Sequence, residues 1–194
     1  MSGGITGAPG SGRDDDVAEN VPTPGTPTDP PRERKVIEQR GLYAEELEIG
    51  AVYAHRPGRT LTEADNVLFT TLTMNTQALH LDAAWSAGQP FGQRLVNSML
   101  TLATLVGQSV GQLTQGTIVA QLGLTDVSFP KPLFHGDTLS TETEITGIRA
   151  SASRPGQAVV TLSHTGRNQH GDVVARATRS VLMWSSAASW QVTS

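Results

Sequence analysis

Two side chains able to steer or move a proton lie five residues apart in the stretch Leu72-Thr73-Met74-Asn75-Thr76-Gln77-Ala78-Leu79-His80. Asn75 offers a carboxamide that can orient water. His80 offers an imidazole, the side chain that titrates nearest neutral pH and so the ordinary general base. The stretch is a polar turn between two apolar helical patterns. Leu81-Asp82 and a fresh helical start follow it, and beyond lies the longest apolar segment of the chain, Phe91 to Val110. A histidine near the foot of a buried helix is where the chemistry is expected. The rival role for His80 is to cap or brace the turn. For Asn75 it is that of a turn residue tolerating left-handed backbone.

Those residues must be placed by the elements around them. Val52 to Leu61 reads as a strand crossed by the turn signal Pro57-Gly58. Thr62, followed by Glu63 and Asp65, is a helix N-cap with acids in the first turn. The expected apolar stripe of that helix is Val67, Leu68, Thr71 and Leu72. Asp82-Ala83-Ala84-Trp85 opens a short helix that Gly88-Gln89-Pro90 closes. Leu95, Met99, Leu102, Val106 and Val110 then fall at helical spacing, with Leu100, Ala103 and Leu105 on the flanks. A helix apolar over most of its girth is expected to be buried, with Gly111 helping to stop it. After Gly116 the period changes to two. Strands are expected over Ile118 to Phe129, through Leu139, Thr141, Thr143 and Ile145, over Val159 to Gly166, and over Val173 to Trp184. A sheet apolar on one face must bury that face, and one long helix wrapped by the sheet does so. The order is that of an α+β chain with a single hot-dog fold.

The domain is expected over residues 36–186, between a disordered tail at 1–35 and a frayed end at 187–194. Met1 to Arg34 holds Asp14-Asp15-Asp16, repeated Thr-Pro pairs and almost no large apolar residue, so it cannot offset the entropy of ordering by burial. A net charge of −4 supplies no basic patch for nucleic acid. No apolar run approaches the roughly 18 residues that would suggest a membrane span. The N-terminus lacks the charged-then-apolar order of a signal peptide, so a cytoplasmic protein is the simplest expectation. The absence of cysteine excludes disulfides, thiolate metal sites and cysteine nucleophiles. No other metal-ligand spacing stands out, and no cofactor is expected.

The His80 turn, the helix entry Arg94-Leu95-Val96-Asn97-Ser98-Met99-Leu100 and the block Phe129-Pro130-Lys131-Pro132-Leu133-Phe134-His135-Gly136-Asp137-Thr138-Leu139 together resemble the MaoC-like dehydratases, the (R)-specific enoyl-CoA hydratases. The resemblance runs from about Gly41 to Trp184. It implies an enzyme that adds water across the double bond of an enoyl-CoA thioester. The family pattern is an aspartate, one variable residue and then Asn-Pro-Leu-His, with the aspartate and the histidine acting together on that water. His80 matches the histidine, and Asn75 stands at the aspartate position. The family's His-Gly pair at the helix entry is Asn97-Ser98 here, so the Ser98 backbone N–H is the implied donor to the thioester oxygen. An amide at a helix N-terminus suits developing enolate charge. Thr-Met-Asn-Thr-Gln resembles the branch acting on five-carbon dicarboxylic thioesters such as mesaconyl-CoA and itaconyl-CoA. A neutral Asn75 suits that substrate, because an aspartate about 4 Å from a free carboxylate would repel it by up to roughly 4 kcal/mol at an effective dielectric of ~20.

Asn97, Arg94 and Lys131 are the further candidates for holding the substrate. The two cations, with Arg149, could meet the CoA phosphates; the alternative for each is a solvated surface charge. His135, His164 and His170 are expected at turns or on strand faces, and Asp137 as a turn residue. Two other functional classes fit the same fold. One is an acyl-CoA thioesterase, in which the helix-entry amide polarises a thioester for hydrolysis. The other is a non-catalytic acyl-CoA-binding subunit. A lone hot-dog leaves a sheet edge unpaired, so a homodimer is the smallest unit expected.

Overall fold

The alternating segments after Gly116 become β2 (Ile118–Ser128), β3 (Thr138–Ala150), β4 (Gln157–Arg167) and β5 (Val173–Trp184), joined by the earlier β1 (Val52–Thr60). The five form one antiparallel sheet of order β1-β3-β4-β5-β2. The computed structural model describes residues 34–185, so the expected tail at 1–35 falls almost wholly, and the end at 187–194 wholly, outside the described residues. The sheet belongs to the second of two units, Met1–Ile37 and Glu38–Ser194.

One face of the sheet is the core face. Leu139, Thr141, Thr143 and Ile145 of β3 are buried on it beside Ala158, Val160, Leu162, His164 and Gly166 of β4. Their sequence neighbours face outward, as period two requires. The Pro57-Gly58 signal does not end β1. It is absorbed as a register shift against β3 between His55 and Arg59.

The long helix α4 (Ser98–Ser109) lies on the core face and buries Thr101, Leu105 and Ser109. Leu105 packs in a cluster with Leu61, Val96, Leu133, Leu139 and Val174. Gly166 lets it approach, since a β-carbon there would stand 2.8 Å from Leu105 Cδ1 and 3.0 Å from Leu139 Cδ1. The expected burial around most of the helix is not observed. Met99 is 49% exposed, and Ala103 and Gly107 are exposed too, because one sheet covers only one side of the helix. Leu95 lies outside the helix, in an isolated antiparallel bridge with Phe134. Gly111 does not stop it either. The chain continues as a π-helical turn, Val110–Thr114, and Gly116 at φ 72° turns it into β2.

Between β1 and α4 come three shorter helices, α1 (Glu63–Leu72), α2 (Ala78–Leu81) and α3 (Ala83–Ala87). Thr62 caps α1 as expected: its Oγ1 accepts from the Asp65 N–H at 3.1 Å, and Asp65 Oδ2 accepts from the Thr62 N–H at 2.8 Å. The buried face of α1 is not the apolar stripe. Asn66 and Thr70 are buried while Leu68 and Leu72 are exposed. The reason is what α1 packs on, namely the α2 segment and the entry to α4, whose backbone groups need hydrogen-bond partners once buried.

Candidate active site

Asn66 and Thr70, one helical turn apart on α1, meet the segments that carry His80, Asn75 and Ser98. Asn66 is fully buried. Its Nδ2 donates to the carbonyls of His80 at 3.1 Å and Leu95 at 3.4 Å, and its Oδ1 accepts from the Asn97 N–H at 2.7 Å. Asn97 Nδ2 donates to Thr70 Oγ1 at 3.2 Å, and the Thr70 carbonyl accepts from the Asn75 N–H at 3.0 Å. Asn75, Thr70, Asn97, Asn66 and His80 are therefore linked by one run of hydrogen bonds and the short chain segments they join. Neither Asn66 nor Thr70 was singled out from the sequence. The available signal was a pair of uncharged polar residues at i and i+4, on one face of the helix.

His80 sits in α2, a single turn, and is 9% exposed. Its Nδ1 is 3.0 Å from the Leu95 carbonyl oxygen. A carbonyl can only accept, so Nδ1 carries the proton and Nε2 presents its lone pair. No described residue bonds Nε2. Asn75 forms an Asx turn in which Oδ1 accepts from the Gln77 N–H at 2.9 Å, leaving Nδ2 free of partners among the described residues. The left-handed residue here is Met74, at φ 57°, rather than Asn75.

Asn97 is the N-cap of α4: its Oδ1 accepts from the Met99 N–H at 2.9 Å and its side chain is turned inward. It braces the helix entry. The Ser98 N–H, first in the helix, has no partner among the described residues and lies at the positive end of the dipole. Ser98 opens on a cavity of about 300 Å³ also lined by Phe91, Leu95, Thr101, Phe129 and Leu133. Lys131 lines it as well, although its Nζ reaches out to Asp172 Oδ1 at 2.5 Å in an exposed ion pair.

Arg94 adjoins the His80–Leu95 hydrogen bond and pairs through Nη2 with Glu63 at the start of α1. Arg149 is not brought to the site; it is exposed at the end of β3 remote from the Phe129–Leu139 block. His164 is also elsewhere, on the core face of β4, where Thr143 Oγ1 lies 2.8 Å from both His164 Nδ1 and His55 Nε2. Burial, with Arg179 and His55 adding to it, pushes the His164 imidazole down to about 3. His170 is exposed in the β4–β5 loop. Asp137 holds its turn as expected, accepting from the Phe134 N–H at 2.8 Å.

Residues 45–168 match the family described as MaoC like domain. The chain belongs to this family. It is 30% identical over 150 residues to the β-methylmalyl-CoA dehydratase of Chloroflexus aurantiacus, an alignment covering 74% of this chain and 40% of that protein. With the (R)-specific enoyl-CoA hydratase of Aeromonas caviae it shares 34% identity over 108 residues, covering 56% of this chain and 78% of that one. Among solved structures, a Mycobacterium tuberculosis protein with a double hot-dog fold superposes with a TM-score of 0.69 at 27% identity, over 80% of this chain and 47% of that one. The chain thus spans about two fifths of the length of the Chloroflexus relative and under half of the double hot-dog protein. This MaoC-like domain is α+β, and its sheet with one long helix on the core face is the expected hot-dog, the fold of the Mycobacterium structure. No helix among the described residues is long and apolar enough to cross a membrane.

Proposed function

We propose that this MaoC-like domain hydrates the double bond of an enoyl-CoA thioester, or runs the reverse dehydration. The observation that carries the reading is the His80 tautomer. With Nδ1–H given to the Leu95 carbonyl, Nε2 is left as an acceptor for a proton from water. As that proton moves to Nε2, the water oxygen bonds to the β-carbon and the double-bond electrons shift to the thioester oxygen. The Ser98 N–H stabilises the resulting enolate. The enolate electrons then form the α-carbon–hydrogen bond with the proton returned from Nε2, restoring the neutral imidazole. Asn75 takes no proton. Its free Nδ2–H donates to the water oxygen and turns the reacting lone pair toward the β-carbon.

The finer substrate is a short dicarboxylic thioester such as mesaconyl-CoA or itaconyl-CoA. Two features support it: the neutral Asn75, which spares a substrate carboxylate from repulsion, and a relative named for a malyl thioester, which carries a second carboxylate. The working unit is a homodimer. β2 is an unpaired edge with Leu122 and Val127 exposed, and a second copy would stand where a double hot-dog chain has its other half.

The test is turnover of crotonyl-, mesaconyl- and itaconyl-CoA followed by mass spectrometry, with free thiol assayed alongside. Wild type is expected to add water, preferring the dicarboxylic esters, and His80→Ala to lower kcat by about 10²- to 10⁴-fold. Asn75→Asp is expected to lose mesaconyl-CoA turnover and gain on crotonyl-CoA. Release of thiol without hydration would make the domain a thioesterase. Binding with no turnover would make it an acyl-CoA-binding subunit.

A further inference from the structure

Beside His80 lies a small polar cluster that neither the general base nor the amide donor uses. The Leu95–Phe134 bridge is antiparallel, and the Val96 N–H donates to the Leu133 carbonyl at 2.9 Å, so Arg94 falls directly opposite His135 with both side chains on one face. Leu95, one residue from Arg94, is the carbonyl that holds the His80 imidazole. The cluster is thus fixed to the catalytic base by two short backbone segments. Its members differ in how firmly they are held. The Arg94 side chain is 17% exposed, whereas that of its partner Glu63 is 59% exposed. Only Nη2 of the guanidinium is engaged among the described residues, and His135 Nε2 is buried without a partner. A guanidinium carries five N–H donors in a planar fork that matches a carboxylate. One exposed glutamate leaves most of them open.

We infer that Arg94 and His135 form the subsite for the free carboxylate of the acyl group, with Glu63 as the carboxylate that occupies Arg94 when substrate is absent. This rests on the reading of the domain as an acyl-CoA binder. A dicarboxylic thioester displaces Glu63, whose exposed side chain swings to solvent, and its carboxylate accepts from the guanidinium fork and from one imidazole N–H. A monocarboxylic acyl group offers nothing to displace Glu63, so the ion pair stays closed. The exchange conserves charge in the cluster. It makes recognition of the acid a competition between two carboxylates for one cation, and the competitor is a residue of this chain.

The experiment is calorimetric binding of unreactive saturated analogues, succinyl-CoA and butyryl-CoA, to the full chain, which needs no hydratase activity. Arg94→Met is expected to weaken succinyl-CoA by about 10- to 100-fold and to leave butyryl-CoA within about threefold, since hydrogen bonds to a charged group are the strong ones. Glu63→Gln removes the competitor and is expected to tighten succinyl-CoA alone, a gain that a damaged fold would not produce. His135→Phe is expected to weaken succinyl-CoA about 3- to 30-fold. Equal weakening of both thioesters by Arg94→Met would assign the cation to the CoA phosphates common to them and overturn the inference. So would unchanged succinyl-CoA affinity in Glu63→Gln. A domain that binds both analogues as expected yet hydrates no enoyl thioester would overturn the hydratase reading and leave the carboxylate subsite standing.

Discussion

At the scale of single residues, the proposed pair His80 and Asn75 is less telling than the asparagine behind it. His80 and Asn75 can act together only if their segments are held, and Asn66 is the side chain that bonds His80 and Leu95 on one side and Asn97 on the other. Asn66→Leu keeps the volume but takes away the partners of the buried His80 carbonyl and the Asn97 N–H, while the Leu95 carbonyl keeps the His80 Nδ1–H. The expected cost is about 2–4 kcal/mol, read from urea unfolding, since each orphaned buried polar group costs roughly 1–3 kcal/mol. In folded enzyme kcat should fall at least 10-fold with a smaller change in KM, because the Ser98 N–H and His80 Nε2 would lose their mutual register. A variant as stable and as active as wild type would show that the site does not depend on Asn66.

At the scale of elements, the edge strand β2 is the exposed liability. It is paired only with β5, and Leu122 is 53% exposed on it. Edges of this kind are covered, charged or paired in native proteins. Wild type is therefore expected to sediment as a dimer, and Leu122→Lys as a monomer with unchanged far-ultraviolet circular dichroism. A wild-type monomer at micromolar concentration would remove the dimer from the proposal. The helices make a related point. α4 presents Met99, Ala103 and Gly107 outward, and α1 presents Leu68 and Leu72, so apolar pattern alone did not say which side each helix buries.

At the scale of the whole molecule, the core holds a group that should make folding sensitive to acid. His164 is buried on the core face of β4, and burial, with Arg179 and His55, lowers its folded pKa from the ordinary imidazole range near 6.5 to about 3. Between those values the unfolded chain binds a proton that the folded chain refuses. The stability contributed by the neutral imidazole is present above about pH 6.5 and is lost as pH falls toward 3, at up to about 1.4 kcal/mol per pH unit. Urea midpoints measured from pH 7 to 4 should fall steeply in wild type and less steeply in His164→Gln, which cannot titrate. Parallel curves would show that other groups set the acid limit.

By itself the sequence determined the order of strand, helices, long helix and strands, all four strands after Gly116 and the Thr62 cap. Each is written in local spacing: period two for strands, a side-chain oxygen three residues from its amide for a cap. Turn formers between apolar runs made Asn75 to His80 read as one turn, whereas His80 stands in the helix α2. The MaoC-like motifs also pointed to Ser98. Only the tertiary structure decided that Asn97 caps rather than faces the cavity, that Arg94 pairs with Glu63 opposite His135, and that His164 is a core residue remote from the site. Those facts depend on contacts between residues far apart in the chain, such as Asn66 with Asn97 and Arg94 with Glu63. Local periodicity shows that a residue has a face. The partner that meets it is set by how the helices settle on the sheet.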